Sequence, residues 1–195
     1  PISDILFEDC LKQIHEASNI SPVVSPTFYE ATFLVAMLAF RNQGVERAVI
    51  ETGLGGRWDA TKLVDSDCCI LTKISFEHSE ILGDTLGKIA AEKAAIVGDN
   101  CPVVSVDYRQ HYSLGKRECV WDFYEDVRIG IEEEICHKSE IKWINCYHLS
   151  IKDTAAELAK EALKILGVQD FESLIEDAKK QTKWPGKKQL LTIPL

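Results

Sequence analysis

Two short apolar runs, Cys68-Cys69-Ile70-Leu71-Thr72-Lys73-Ile74 and Pro102-Val103-Val104-Ser105-Val106, flank a stretch with helical periodicity. In that stretch Ile89, Ala90, Lys93, Ala94 and Val97 recur at helical spacing, Asp84-Thr85 open it and Gly98 closes it. Strand, helix, strand in this order predicts parallel pairing, because parallel neighbours need a crossover of about a dozen residues and a helix supplies it. The expected fold is α/β, a mostly parallel sheet covered by helices. Arg47-Ala48-Val49-Ile50-Glu51 reads as a further buried strand. It runs into Gly53-Leu54-Gly55-Gly56, where regular strand cannot continue.

The flanking regions follow simpler signals. Ser3 predicts the cap of a helix carrying Ile5, Leu6, Cys10, Leu11 and Ile14 on one face. Ser25-Pro26 reads as a second cap with proline at the first helical position. Residues 27–42 are apolar nearly all round (Phe28, Phe33, Leu34, Val35, Met37, Leu38, Phe40), which predicts a helix buried on most sides. Val127-Arg128-Ile129-Gly130-Ile131 and Ile141-Lys142-Trp143-Ile144 alternate, predicting a small β-hairpin excursion around residues 120–146. Ser150 predicts a helix cap, Gly167 its end, and a further amphipathic helix is expected over residues 171–181.

Composition removes several classes of function. A chain of 195 residues, 46% hydrophobic, can bury a core without disulfide or metal staples. It has no apolar run long enough to cross a membrane and no basic-then-apolar start. A net charge of −9 counts against nucleic acid and anionic membrane as partners. The seven cysteines include no CxxC pair, and the adjacent Cys68 and Cys69 sit in an apolar run, so free thiols in a reducing cytoplasm are expected. The spacing of Cys119, Cys136, His137, Cys146 and His148 fits no zinc finger.

The chemistry concentrates between Glu51 and Lys93. Carboxyl ends of parallel strands are where open α/β sheets bind ligands, and both Glu51 and His78 fall at such ends. Carboxylate and imidazole together suit a divalent cation. The plainer alternatives stay open: Glu51 bonding loop amides, His78 as a structural histidine, Lys93 as a solvated lysine, Phe28 and Tyr29 as core.

The string Glu51-Thr52-Gly53-Leu54-Gly55-Gly56-Arg57-Trp58-Asp59-Ala60-Thr61 resembles the E-x-G-L-G-G-R-x-D-A-T-N signature of bacterial dihydrofolate synthase/folylpolyglutamate synthase, a Mur-ligase-type family of ATP-dependent amide ligases. The resemblance continues through Ser75 to His78, Leu82-Gly83-Asp84-Thr85 and Ala91-Glu92-Lys93-Ala94, and returns at Thr182-Lys183-Trp184-Pro185-Gly186. It implies a partial central ATPase domain over residues 1–182 and a linker over residues 183–195 toward a C-terminal domain. It implies ligation of L-glutamate to dihydropteroate or a folate through an acyl phosphate, with MgATP. Glu51 and His78 are then the metal ligands and Lys93 a carbamylated lysine. Thr27, Phe28, Tyr29, Glu30, Trp58, Asp59 and Ala60 fall where the family contacts the pterin.

The sequence also departs from that pattern. No Gly-Lys pair lies in a G-x-x-x-x-G-K-[ST] phosphate loop, which in the family precedes the region matched, so a P-loop segment would be supplied by a longer protein. Lys62 replaces the asparagine of D-A-T-N, and Glu77-His78 replaces D-H. Lys152 and Lys187 stand at ATP positions where the family has asparagine and arginine, and lysine cannot reproduce bidentate arginine contact. The isolated chain is therefore expected to be weak or inactive as a ligase. The alternative is a degenerate, non-catalytic paralogue serving as a metal- or pterin-binding or partner module.

Overall fold

The computed structural model describes residues 2–107, 121–146 and 149–182, the side chains of residues 121–124 excepted. A helical pair opens the chain, α1 (Asp4–Ser18) and α2 (Phe28–Asn42). A short 3-10 turn, Ala60–Leu63, precedes β1 (Cys69–Leu71). Then follow α3 (Ser79–Leu82), α4 (Leu86–Ala94), β2 (Val103–Val106), α5 (Trp121–Ile135), β3 (Ile141–Ile144), α6 (Ile151–Ile165) and α7 (Glu172–Gln181).

Local chemistry sets the helix starts. Ser3 accepts from the Leu6 amide at 3.3 Å and Thr85 from the Lys88 amide at 3.2 Å. Ser150 accepts from the Asp153 amide at 3.2 Å. Each such cap is worth about 1 kcal/mol. At α2 the cap is Thr27, not Ser25. Glu30 accepts from the Thr27 amide at 2.7 Å while Thr27 accepts from the Glu30 amide at 3.3 Å, a reciprocal box that fixes the first turn two residues later than proline placement predicts.

The sheet has the order β1-β2-β3 and is parallel throughout. Cys69 lies opposite Val103 and Val103 opposite Ile141. The central strand β2 is buried at every residue, as a strand covered on both faces must be. The main core joins Leu71, Val103 and Val104 of the sheet to Ile89 and Ala90 of α4, Val127, Ile131 and Ile135 of α5, and Leu158 and Ala162 of α6. A small separate core, Cys10, Ile14, Val35 and Ala39, holds α1 against α2.

Three sequence expectations are corrected here. No hairpin occupies the 120–146 region. Residues 121–135 are α5, and 141–144 is a strand parallel to β2. Val127, Ile131 and Ile135 are fully buried at four-residue spacing, whereas Ile129 faces out, so the helical period overrides the local alternation. Residues 47–51 form no strand and join no ladder among the described residues, and Val49 is fully exposed. The helix over 28–42 is not buried on most sides: Val35 and Ala39 are buried, while Phe28 is 90% exposed. An apolar run is buried only if something covers it, and among the described elements α2 packs chiefly on α1 and the 3-10 turn. The expected linker, residues 183–195 with Lys187, lies outside the described residues, as do Cys119 and His148.

Gly130 sets how closely α4 and α5 approach. A Cβ there would fall on the carbonyl oxygen of Gly87, and the Gly87 amide donates to Asp126 at 2.7 Å across the same contact. Gly→Ala in an exposed helix interior stabilises by about 1 kcal/mol. Gly130→Ala is expected to do the opposite, destabilising by about 1–3 kcal/mol through overpacking. Urea denaturation followed by circular dichroism checks it, and an unchanged or raised midpoint would contradict the close packing.

Candidate active site

The glycine loop after Glu51 is held in place from three sides. From inside, the buried Asp59 accepts from the Gly53 and Leu54 amides through Oδ2, both at 3.0 Å. Its Oδ1 accepts from the Thr61 amide at 2.9 Å, the Thr61 hydroxyl at 2.7 Å and the Tyr29 hydroxyl at 3.3 Å. Burial opposes ionisation of Asp59, but the Leu54 amide, the Thr61 hydroxyl and amide, and the Tyr29 hydroxyl outweigh it and hold the carboxyl below its usual range. From beneath, Gly56 seats the loop on the end of α4: a Cβ there would come within 2.7 Å of the Lys93 carbonyl. From the side, Arg57 donates to Glu92 of α4 and Glu134 of α5, each at 2.8 Å.

Tyr29, in the first turn of α2, lies with its ring edge against Gly53. Its phenol is pushed up, by burial first and then by the neighbouring charge of Asp59. Between this ring and the loop opens a cleft of about 690 Å³. It is lined by Thr27, Tyr29 and Glu30 on one side, residues 53–56 with Trp58, Asp59 and Ala60 on another, and Ile81, Leu82 and Glu92 beyond. Trp58 is 91% exposed, so its indole is free to stack.

Of the residues singled out as pterin contacts, Thr27, Tyr29, Glu30, Trp58, Asp59 and Ala60 line this one cleft. Phe28 does not; it projects into solvent at the start of α2. The sequence reading missed Ile81, Leu82 and Glu92, although Leu82 and Glu92 fall in the segments that carry the resemblance. Glu51, His78 and Lys93 are not among the lining residues. Glu51 is exposed and acts electrostatically on Tyr29. His78 takes a left-handed conformation at the start of α3, next to Glu77. Lys93 lies 2.6 Å from the Glu77 carboxylate. That contact lowers Glu77 below the usual carboxylate range, against burial and with a smaller contribution from His78. Glu77 thus pairs with Lys93 and adjoins His78 in the chain. Lys152, on the first turn of α6, donates to the Thr182 carbonyl at 3.0 Å and does not line the cleft. Among the described residues no three His, Cys, Asp or Glu side chains form a ready-made metal cluster.

No family model matches the chain. Among curated proteins, a dihydrofolate synthase/folylpolyglutamate synthase of Haemophilus influenzae is 45% identical over 135 residues, covering 62% of this chain and 31% of the relative. A probable dihydrofolate synthetase of Schizosaccharomyces pombe is 30% identical and covers 98% of this chain and 49% of the relative. The chain thus spans between about a third and a half of the length of these two relatives. Among solved structures, the apo form of L. casei FPGS superposes with a TM-score of 0.78 at 18% identity, over 99% of this chain and 53% of its own. E. coli FolC in complex with ADP gives 0.73 at 21% identity, over 98% and 47%. Those structural likenesses speak for the fold, a Mur-ligase-like α/β arrangement. The sequence matches establish the kinship: over the region it spans, the chain is a relative of the dihydrofolate synthases and folylpolyglutamate synthases.

Proposed function

We propose that the cleft binds the pterin of dihydropteroate or a folate, as part of a site where an ATP-dependent ligase joins L-glutamate to the substrate's carboxylate. The observation that supports this best is the arrangement of Tyr29, Trp58 and the glycine loop around one cleft of about 690 Å³. A flat heterocycle offers faces to aromatic rings and a polar edge to a few fixed groups. Thr27 and Glu30, at the start of α2, supply polar atoms on the same wall. The relationship to glutamate ligases of folate metabolism points the same way, and E. coli FolC has been described in complex with DHPP and ADP.

The chemistry follows from the weakness of a carboxylate as an electrophile. Its oxygen attacks the γ-phosphorus of ATP and ADP leaves. The glutamate amine then attacks the acyl carbon, phosphate departs and the nitrogen gives up a proton. Glu51 and His78 are the side chains that would hold Mg²⁺. Two exposed protein ligands fit an ion that takes most of its shell from phosphate oxygens and water. When bound, magnesium supplies charge neutralisation for the transferring phosphoryl group. Lys93 neutralises Glu77 as an ammonium. Carbamylated, it would set a second anion against Glu77 and raise the demand for a cation there. We leave Lys152 outside the site because its ammonium is engaged by carbonyls at the end of α7. The setting we infer is the cytoplasm.

A second reading, a pterin-binding module without turnover, is favoured by Lys62 and Lys152 standing where the family pattern has asparagine. Titration of dihydropteroate into the chain, followed by tryptophan fluorescence, is expected to give saturable quenching. Trp58→Ala should weaken binding about tenfold, the loss of one stacked ring at about 1.4 kcal/mol. No binding, or binding indifferent to Trp58 and Tyr29, would refute the cleft assignment. ATP hydrolysis by this chain is expected to be undetectable, and robust magnesium-dependent turnover would overturn the binding-module reading. In calorimetric titrations of magnesium with ATP present, Glu51→Ala and His78→Ala should each reduce affinity. Unchanged affinity in both would defeat the metal assignment.

Asp59 acts in this scheme as a positioning residue, through the loop it holds. Asp59→Asn should destabilise the fold by about 2 kcal/mol, since hydrogen bonds to a charged acceptor are worth about 1.5–3 kcal/mol. The folded carboxyl titrates below its unfolded value near 3.9. Its stabilisation is therefore complete above about pH 4 and is lost as acidification carries the pH down through the folded pKa. Urea midpoints of wild type and Asp59→Asn should stand apart at neutral pH and converge below about pH 4. A gap independent of pH would mean the charge contributes nothing.

A further inference from the structure

Outside the cleft, the base of the sheet brings two thiols together. Cys69 opens β1 and Cys101 lies two residues before β2. The Cys101 thiol donates to the Cys69 sulfur at 3.6 Å, and the Cys69 amide donates to the Pro102 carbonyl at 2.9 Å, so the two backbones are already fastened side by side. Cys69 is 9% exposed and Cys101 4%.

We propose that Cys69 and Cys101 form a dithiol–disulfide pair, oxidised by a small hydroperoxide and tying the start of β1 to the segment that leads into β2. A disulfide bond is about 2.05 Å long, so the sulfurs need to approach by only about 1.5 Å, within reach of side-chain rotation. Burial favours hydrogen peroxide over a bulky disulfide as oxidant. Cys69 is the attacking sulfur. The Cys101 thiol, then Ser66 and Lys62, favour its thiolate against burial and bring it down to about 7, while the same contact pushes Cys101 up.

The reaction closes in two steps. The Cys69 thiolate attacks one peroxide oxygen, the O–O bond breaks, and hydroxide leaves and takes up a proton as water. The Cys101 sulfur then attacks the sulfenic sulfur of Cys69. The S–O bond breaks, and the hydroxyl leaves as water with the Cys101 proton. Two thiols and one hydrogen peroxide give one disulfide and two waters, with two electrons passing to the peroxide.

Cys68 and Cys136 provide the internal comparison. Cys68 is the immediate neighbour of Cys69, but its thiol contacts the Cys69 carbonyl rather than a sulfur. Cys136 is exposed. The test is peptide mapping of the chain after hydrogen peroxide, quenching and alkylation under denaturing conditions. The expected product is a crosslinked pair of peptides carrying residues 69 and 101, abolished by reductant. It should persist in Cys68→Ser and vanish in Cys69→Ser and Cys101→Ser. Cys101→Ser should instead accumulate a sulfenic acid at Cys69 that dimedone traps. If a variant fails to fold, the wild-type map decides alone. A crosslink through Cys68, oxidation of Cys69 straight to sulfinic acid, or both thiols still alkylated would each overturn the proposal.

Discussion

A single buried carboxylate organises the region where the chemistry is concentrated. Asp59 sits under a loop whose amides would otherwise lack partners, and its two oxygens bind that loop, the 3-10 turn and a tyrosine from α2 to one point. A buried charge is tolerated only when so satisfied. The cost of placing it there is offset by the order it imposes: the wall of the cleft is fixed before any ligand arrives. Because Tyr29 belongs to the helical pair and Gly53 to the segment leading to the sheet, the same carboxylate also fastens two separately cored parts of the molecule across the cleft.

Arg57 does the complementary work outside the loop. Its guanidinium reaches both α4 and α5, so it ties the glycine loop to the helix carrying Lys93 and to the helix lining the core. Gly87 and Gly130 allow those two helices to meet at close range, Gly130 against the Gly87 backbone and Gly87 against the Asp126 side chain. Such anchoring matters for recognition, because a flat ligand gains little from rings that must first be ordered.

The unit of β1, α4 and β2 was legible because Thr85 and the spacing of Ile89, Ala90 and Ala94 agree with one another, although α4 ends at Ala94, before the Gly98 that was expected to close it. Five residues from Val127 alternate as a strand would, and only the wider window with Ile135 exposes the helical stripe. The deciding contact, Gly130 on Gly87, is tertiary and leaves no local trace. Residues 47–51 and the outer face of α2 were misjudged for a different reason. Apolarity states a preference for burial but not that a covering element is present. At the cleft, the aromatic turn and the glycine loop could be placed together through the resemblance, whereas the structural use of Asp59 could not. Its spacing to Thr61 carried an Asx-turn signal, yet the Tyr29 and Gly53 contacts exist only once the chain has folded.

Among the described residues β1 is bonded to a strand on one side only, and Ile70 at its centre is exposed. Across residues 68–74 the single charge is Lys73, and there is no proline. An edge strand with a single flanking charge offers backbone groups on its open side. Among the described residues this rim is therefore the side on which one more extended segment would find backbone groups to pair with.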